Sequence, residues 1–373
     1  MNNTIQTNCR YFQNDRPCRY HKSTGVMCGD CQYYSPVGFK MLIIKLDAMG
    51  DVLRTTSILQ GLKEKYPESH ITWITKKESL PLLENNPLID MTLAYEEDAL
   101  LVLATEEFDL VINPDASFIG ARLAELSKGK KKLGFGFDSK GHVYSYNREA
   151  EYWFNMGVND VIKKANQKTY QQIVLSICQL NCERYDLIYH ISPEEKNFAE
   201  TFRRKNKLKS VDIVIGLNTG AGRRWLKKKW TLEGYSELIN IIKKRIPEAK
   251  ILLYGGPEEI ENNKYLKSRY DNLIDTGNHN SIRQFAALID LSTVVVTGDT
   301  LAMHLAVALG KKAVVLFGPT SHTEIELYNR GEKIYSDMDC LVCYRQRCDK
   351  SPDCMEKIAA DRVFKTIKKL VGD

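Results

Sequence analysis

Two carboxylates in this chain stand where ligand chemistry is usually done. In LIIKLDAMGDVLRTTSILQGLKEKY a run of β-formers ends and Gly50 and Asp51 open a helix-like pattern. In TVVVTGDTLAMHLAVALG, Gly298 and Asp299 hold the same place. Each Asp marks the carboxyl end of a buried strand, the edge at which open α/β sheets collect ligands. Each also sits beside a helix N-terminus, whose free N–H groups attract anions. A carboxylate so placed can take a proton from an attacking hydroxyl. The plainer reading of either Asp is helix N-capping, which Asp does well. Repetition in matching contexts favours two α/β units facing each other across a cleft.

The second half adds groups suited to phosphate. LNTGAGRRWLKKKW, YGGPEE, GDTLAMH and FGPT each follow an apolar strand, so Gly220, Gly256, Gly298 and Gly318 gather at one sheet edge. Glycine lets backbone N–H groups approach phosphate oxygens, while a lysine and a helix N-terminus offset charge. One such loop means little; four suit a nucleotide diphosphate. Neither G-x-G-x-x-G nor G-x4-G-K-[ST] occurs, which removes the main support for dinucleotide dehydrogenases and P-loop NTPases.

The elements that must position these residues alternate along the chain. KMLIIKL, HITWITK and FDLVINP read as strands, DVLRTTSILQGLKEKY as a single helix, and ARLAELSKG as a helix before a basic turn and KLGFGF. Residues 150–205 read mostly helical, with Ser192 and Glu195 spaced as a capping box. A second α/β series starts at VDIVIGLNTG. At 373 residues two domains are the natural count. The divisions expected are a Cys-rich segment 1–38, domains 39–195 and 196–339, and a Cys-rich tail with a final helix over 340–373.

Composition excludes some classes. Apolar residues make up 43%, enough for sizeable cores, and the longest apolar runs, such as AVVLF, are too short to cross a bilayer. The N-terminus has no hydrophobic segment of signal type, so a cytosolic protein is expected. The net charge of +6 is mild, but lysines cluster at 128–132, and Arg223, Arg224, Lys227, Lys228 and Lys229 share one glycine-bearing loop. The first group reads as a solvated face and the second as functional.

LIIKLDAMGDVL, GAGRRWLKKKW, GGPEE, TGDTLAMHLAVALG and FGPT together resemble glycosyltransferase family 9, the heptosyltransferases, over roughly residues 40–370. The resemblance implies the GT-B fold of two Rossmann-like domains, with the donor bound by the second and the acceptor by the first. It implies inverting transfer of heptose from ADP-heptose to lipopolysaccharide core, with no catalytic metal. Asp51 matches the family's proposed general base. Lys228 matches the lysine at the donor phosphates, Asp299 the acidic residue at the heptose, and Thr300 and His304 belong to that motif. Glu259 matches an acidic residue near the ribose, and Gly220, Gly256, Gly318 and Thr320 complete the donor loops. Leu301 departs from the family, where glycine is common. His304 also suits a core position in an apolar helix.

The cysteines form two tetrads, and Cys178 and Cys182 between them read as core thiols. Cys340, Cys343, Cys348 and Cys354 are spaced C-x2-C-x4-C-x5-C; Cys9, Cys18, Cys28 and Cys31 are spaced C-x8-C-x9-C-x2-C, with His21 as a spare ligand. In a cytosolic chain such groups point to metal before disulfide. Zinc is the default for four thiolates, and iron fits the same spacing. Related autotransporter heptosyltransferases hold iron in a similar tail. Both sets are expected to serve folding or assembly. Two alternatives remain: another nucleotide sugar or a protein acceptor on the same fold, and a metal-stabilised nucleic-acid-binding protein. The latter lacks a basic helical stripe or an aromatic platform. Nucleic acid is therefore not an expected partner; peripheral contact with the inner membrane face is compatible with the acceptor.

Overall fold

Uninterrupted runs of β-branched and aliphatic residues build two parallel sheets, because strands covered on both faces need apolar side chains on both. A computed structural model of the protein describes residues 5–181, 184–222 and 226–372; Cys182, Arg223 and Arg224 lie outside them. The first sheet comprises β1 (Phe39–Ile44), β2 (Ser69–Thr75), β3 (Met91–Ala94), β4 (Glu107–Asn113), β5 (Lys128–Phe137) and β6 (Val143–Ser145). Its order is β3-β2-β1-β4-β5-β6. The second comprises β7 (Val214–Asn218), β8 (Lys250–Tyr254), β9 (Leu273–Asp275), β10 (Val294–Gly298), β11 (Lys312–Phe317) and β12 (Gly331–Tyr335), in the order β12-β11-β10-β7-β8-β9. Among the twelve described strands only β5 and β6 pair antiparallel. Both sheets therefore reverse strand order once, between β1 and β4 and between β7 and β10. A ligand crevice opens at such a switch point, and Asp51 follows β1 as Asp299 follows β10.

Two expected elements differ. The helix after β1 is broken into Met49–Thr55 and Ile58–Lys65. Three successive hydroxyls cause the break by competing for helix carbonyls: Thr55 donates to Asp51 O at 2.6 Å, Thr56 to Leu53 O at 2.6 Å and Ser57 to Arg54 O at 2.9 Å. The lysines at 128–132 form the outer half of β5 rather than a turn, with Lys130 on Asp109 at 2.7 Å.

The two domains pack directly beneath their switch points. Leu53 joins Ala302, Leu305 and Ala306 in one buried cluster, with Met49 and Leu301 against it. The helix Pro193–Lys205, opened by the Ser192–Glu195 capping box, packs on the same cluster through Phe198 and Phe202. Arg283 clamps the junction: it binds Glu195 through Nε at 2.5 Å and Nη2 at 2.8 Å, and donates to Pro81 O at 3.0 Å. The final helix, Ala360–Val371, buries Val363, Phe364 and Ile367 in the core of the second domain.

The terminal segments attach at opposite ends. Described residues 5–38 bury no side chain. They dock at the amino edge of the first sheet, where Arg10 pairs with Asp90 and donates to Ser69 O at 2.8 Å. The tail instead runs along the carboxyl edge of the second sheet, with Tyr344 N donating to Pro319 O at 2.8 Å.

Candidate active site

The cleft between the switch points holds a cavity of about 440 Å³. The first domain lines it with Gly50, Asp51, Arg54, Trp153 and Lys163; the second contributes Lys228, Asp299, Thr300, His304, Thr320 and Glu324. Asp51 is the third residue of its helix, and Arg54, one turn on, reaches it through Nη2 at 2.9 Å. The Arg54 guanidinium also stacks over Tyr170, 3.8 Å from the ring centroid. Behind Asp51, buried Lys45 pairs with Asp115 at 3.3 Å. Burial works against ionisation of Asp51, but Arg54, Lys45 and His304 outweigh it and hold the carboxyl below its ordinary range. Burial likewise depresses Lys45, and Asp115, Tyr170 and Asp51 reverse that to leave it raised. Asp51 is thus a fixed carboxylate at the cavity wall.

Across the cleft, Lys228 Nζ meets Asp299 Oδ2 at 2.7 Å and the Asp299 carbonyl at 3.3 Å. Gly298 permits this, since a Cβ there would stand 2.9 Å from the Lys228 carbonyl oxygen. Burial opposes charge on Asp299, yet Lys228 and His304 keep its carboxyl below the usual range. Thr300 caps the helix Leu301–Ala308 without a side-chain cap bond; its hydroxyl instead meets Thr297 at 3.0 Å and Asn218 at 3.3 Å. That helix N-terminus is therefore open to an anion. Burial, reinforced by Arg54, lowers His304 to about 4, so its ring is neutral at neutral pH.

Other expected donor residues stand apart from this cavity. Gly220, Gly256 and Glu259 come together at the ends of β7 and β8. Glu259 Oε2 accepts from Gly256 N at 3.0 Å, and its Oε1 takes Lys229 Nζ at 3.1 Å. Gly318 faces the tail, where a Cβ would lie 2.8 Å from Cys354 Sγ.

Five of the cavity residues escaped the sequence reading: Trp153 and Lys163 on the helical stretch of the first domain, and Arg54, Glu324 and Tyr344. Arg54 was detectable in principle as an acid–base pair at i,i+3 on one helix. Glu324 and Tyr344 reach the cleft from loops with no local signal: Tyr344 donates to Glu324 Oε1 at 3.2 Å. Burial raises Glu324 above its usual range.

The described cysteines are all free. Cys340, Cys343, Cys348 and Cys354 line one cavity of about 350 Å³, and burial lifts the Cys354 thiol to about 11. Cys9, Cys18, Cys28, Cys31 and His21 line another of about 360 Å³. Among the described residues, however, no three His, Cys, Asp or Glu side chains converge as a metal shell. Each tetrad is gathered around one pocket without its sulfurs meeting at one point. Burial pushes Cys178 up to about 12, as befits an inert core thiol.

Comparison with known proteins agrees with the two-domain fold. The model of glycosyltransferase family 9 (heptosyltransferase) matches residues 102–352. The lipopolysaccharide core heptosyltransferase OpsX of Haemophilus influenzae is 24% identical over 312 residues, covering 79% of this chain and 84% of that protein. A family 9 glycosyl transferase from Veillonella parvula superposes with a TM-score of 0.71 at 18% identity, covering 90% of this chain and 97% of that one. The ADP-heptose LPS heptosyltransferase II of E. coli gives 0.66 at 19%, covering 89% and 98%. With the family model spanning more than half its length, the chain belongs to glycosyltransferase family 9, the heptosyltransferase family, and is a glycosyltransferase.

Proposed function

We propose that the protein transfers heptose from ADP-heptose to lipopolysaccharide core or a related surface glycan, inverting the anomeric centre. One observation carries the reading: Asp51 and the Lys228–Asp299 pair face a single cavity from opposite domains. The names of OpsX and of heptosyltransferase II supply the sugar and the acceptor class. On this reading residues 39–195 receive the acceptor and residues 196–339 hold the nucleotide sugar.

The acceptor hydroxyl attacks the anomeric carbon as its bond to the diphosphate oxygen breaks. The hydroxyl proton passes to Asp51, and ADP leaves with the bonding pair. Because Arg54 and Lys45 keep Asp51 a weak base, it receives the proton late, once the hydroxyl has become acidic through bonding to carbon. Charge on the leaving diphosphate is met by Lys228 and the N-terminus of the helix Leu301–Ala308. These cationic partners suit a transfer step that uses no metal. Asp299 holds Lys228 in place and offers acceptors to sugar hydroxyls, while neutral His304 adds one donor or acceptor.

The two cysteine tetrads are proposed as structural zinc or iron sites. Their support is the grouping of four thiols around each pocket and, at the N-terminus, a segment whose described residues bury no side chain to hold it together. The proposed location is the cytoplasm, at the inner membrane face where such acceptors are assembled. Among the described residues no helix is long and apolar enough to cross a membrane.

Mass spectrometry of purified protein incubated with ADP-heptose and a panel of truncated core acceptors tests the reading. One added heptose on a core acceptor is expected. A panel left unmodified, alongside transfer from a different nucleotide sugar, would replace the donor assignment.

A further inference from the structure

The cysteine-bearing tail does more than follow the enzyme body. Tyr344 stands between Cys343 and Cys348, and its hydroxyl lies in the cleft wall. It donates to Glu324 Oε1 at 3.2 Å and accepts from Ser321 N at 3.2 Å, while Ser321 Oγ takes Glu324 N at 3.3 Å. These bonds close a ring of three residues. The tail backbone is fitted to this purpose: Val342 and Tyr344 both take the left-handed conformation, at φ of 58° and 49°. Residues with side chains this bulky rarely adopt it. From the first domain, Lys163 Nζ lies 4.6 Å from the Tyr344 ring centroid. Glu324 is fastened from the same side, its carbonyl accepting from Tyr170 N at 2.9 Å.

Glu324 lines the cavity with Asp51 and Asp299 and is only 8% exposed. Its neighbour Arg54 is 7% exposed, and the Arg54 Nε has no hydrogen-bond partner among the described residues. A buried carboxyl is costly unless something uses it, and a polar wall with an unmatched donor suits a ligand rich in hydroxyls. We propose that Tyr344 positions Glu324 to bind a sugar hydroxyl in the cleft, making the cysteine-bearing tail part of the transfer site. This rests on the reading of the cavity as the place of sugar transfer. The hydroxyl belongs to the donor heptose or to the acceptor sugar, and kinetics separate the two.

Tyr344→Phe keeps the ring under Lys163 and removes only the hydroxyl; Glu324→Gln removes the charge and does not depend on the tail folding normally. Each variant is expected to raise KM for one sugar substrate by roughly 10-fold, the loss for a hydrogen bond to a charged group. The KM of the other substrate and the affinity for ADP alone should stay at wild-type values, with kcat within about threefold. Since Tyr344 acts through Glu324, the double variant should be no worse than Glu324→Gln. A rise confined to donor KM identifies a heptose hydroxyl, and one confined to acceptor KM an acceptor hydroxyl. Wild-type KM values in both single variants, or penalties that multiply in the double, would overturn the proposal and leave Tyr344 as a docking residue only. Failure of the wild-type protein itself to transfer heptose would instead strike the functional reading, and this inference with it.

Discussion

Gly50 of the first domain and His304 of the second meet with no room for a side chain between them. A Cβ built on Gly50 would lie 2.4 Å from His304 Cδ2 and 2.8 Å from Nε2. The glycine of the first Gly-Asp pair is therefore a domain contact, which brings the two switch points within reach of one ligand. Gly50→Ala should lower the melting temperature by an overpacking cost of about 1–3 kcal/mol. In a His304→Ala background the same change should cost less than about 0.5 kcal/mol. Melting curves of the four proteins in this cycle check the coupling; equal penalties in both backgrounds would show that the ring moves aside freely.

Asp51→Asn should retain the fold and ADP binding and lose roughly 10²–10⁴ in turnover, the range for a positioned base. Arg54 then loses its charged partner, so a modest fall in stability is also expected. Single-turnover transfer at saturating donor is the measurement. Near-normal rates would assign the proton to another group.

Lys228→Ala should weaken ADP-sugar binding and slow transfer, by a few kcal/mol in total where the lysine meets charge that grows in the transition state. Its partner Asp299 would be left buried and unpaired, so Lys228→Arg is the control that keeps the charge. Calorimetric ADP titration with transfer kinetics reads both effects. An alanine variant with unaltered kinetics would put the diphosphate elsewhere.

The buried histidine gives stability a pH signature. His304 is lowered from 6.5 to about 4, chiefly by burial and then by Arg54. The unfolded chain takes up this proton near pH 6.5 while the folded protein refuses it until about pH 4. The contribution is complete above the unfolded value and is lost as pH falls through that window. Asp51 and Asp299, also lowered, lose theirs further into acid. Glu324, raised, works the other way, its contribution present at low pH and lost as pH rises through its folded value. Melting temperature should therefore fall between about pH 6.5 and pH 4.5, and His304→Gln should flatten that stretch. An unchanged slope in the variant would place the titration on other groups.

What was legible in the sequence follows from how local each signal is. Asp51 and Asp299 follow strand ends, so a strand-then-helix pattern already places them at a sheet edge, and Lys228 was legible through the glycine-bearing loop that follows β7. Lys45, inside the apolar run KMLIIKL, carried a usable signal, because a lysine is seldom fully buried without a partner. The break after Thr55 was hidden, since hydrophobic periodicity runs through it and only the hydroxyl bonds reveal it. Glu324 and Tyr344 were beyond reach: tertiary contacts alone bring a loop after β11 and a cysteine-bearing tail to one wall. The same limit applies to Glu259, whose side chain is turned toward Lys229 and Gly256 by a turn that no periodicity describes.

Metal content separates the role of the cysteines from catalysis. Protein purified under reducing conditions should carry up to two tightly held ions, zinc or iron, by elemental analysis. Thiols must lose their protons to bind, so metal should be released as pH falls. Stripping should loosen the N-terminal segment first, because its described residues bury no side chain, whereas the tail is also held by Tyr344 and by Asp353, which pairs with Lys227 at 2.7 Å. Protease sensitivity confined to the first ~38 residues after stripping is the expected readout. Chelator added to intact protein should leave transfer unaffected while both pockets stay filled, since in the proposed mechanism Lys228 and a helix N-terminus serve the diphosphate. Immediate loss of transfer, restored by Mg²⁺ or Mn²⁺, would make Asp299 a cation ligand and overturn the metal-independent step.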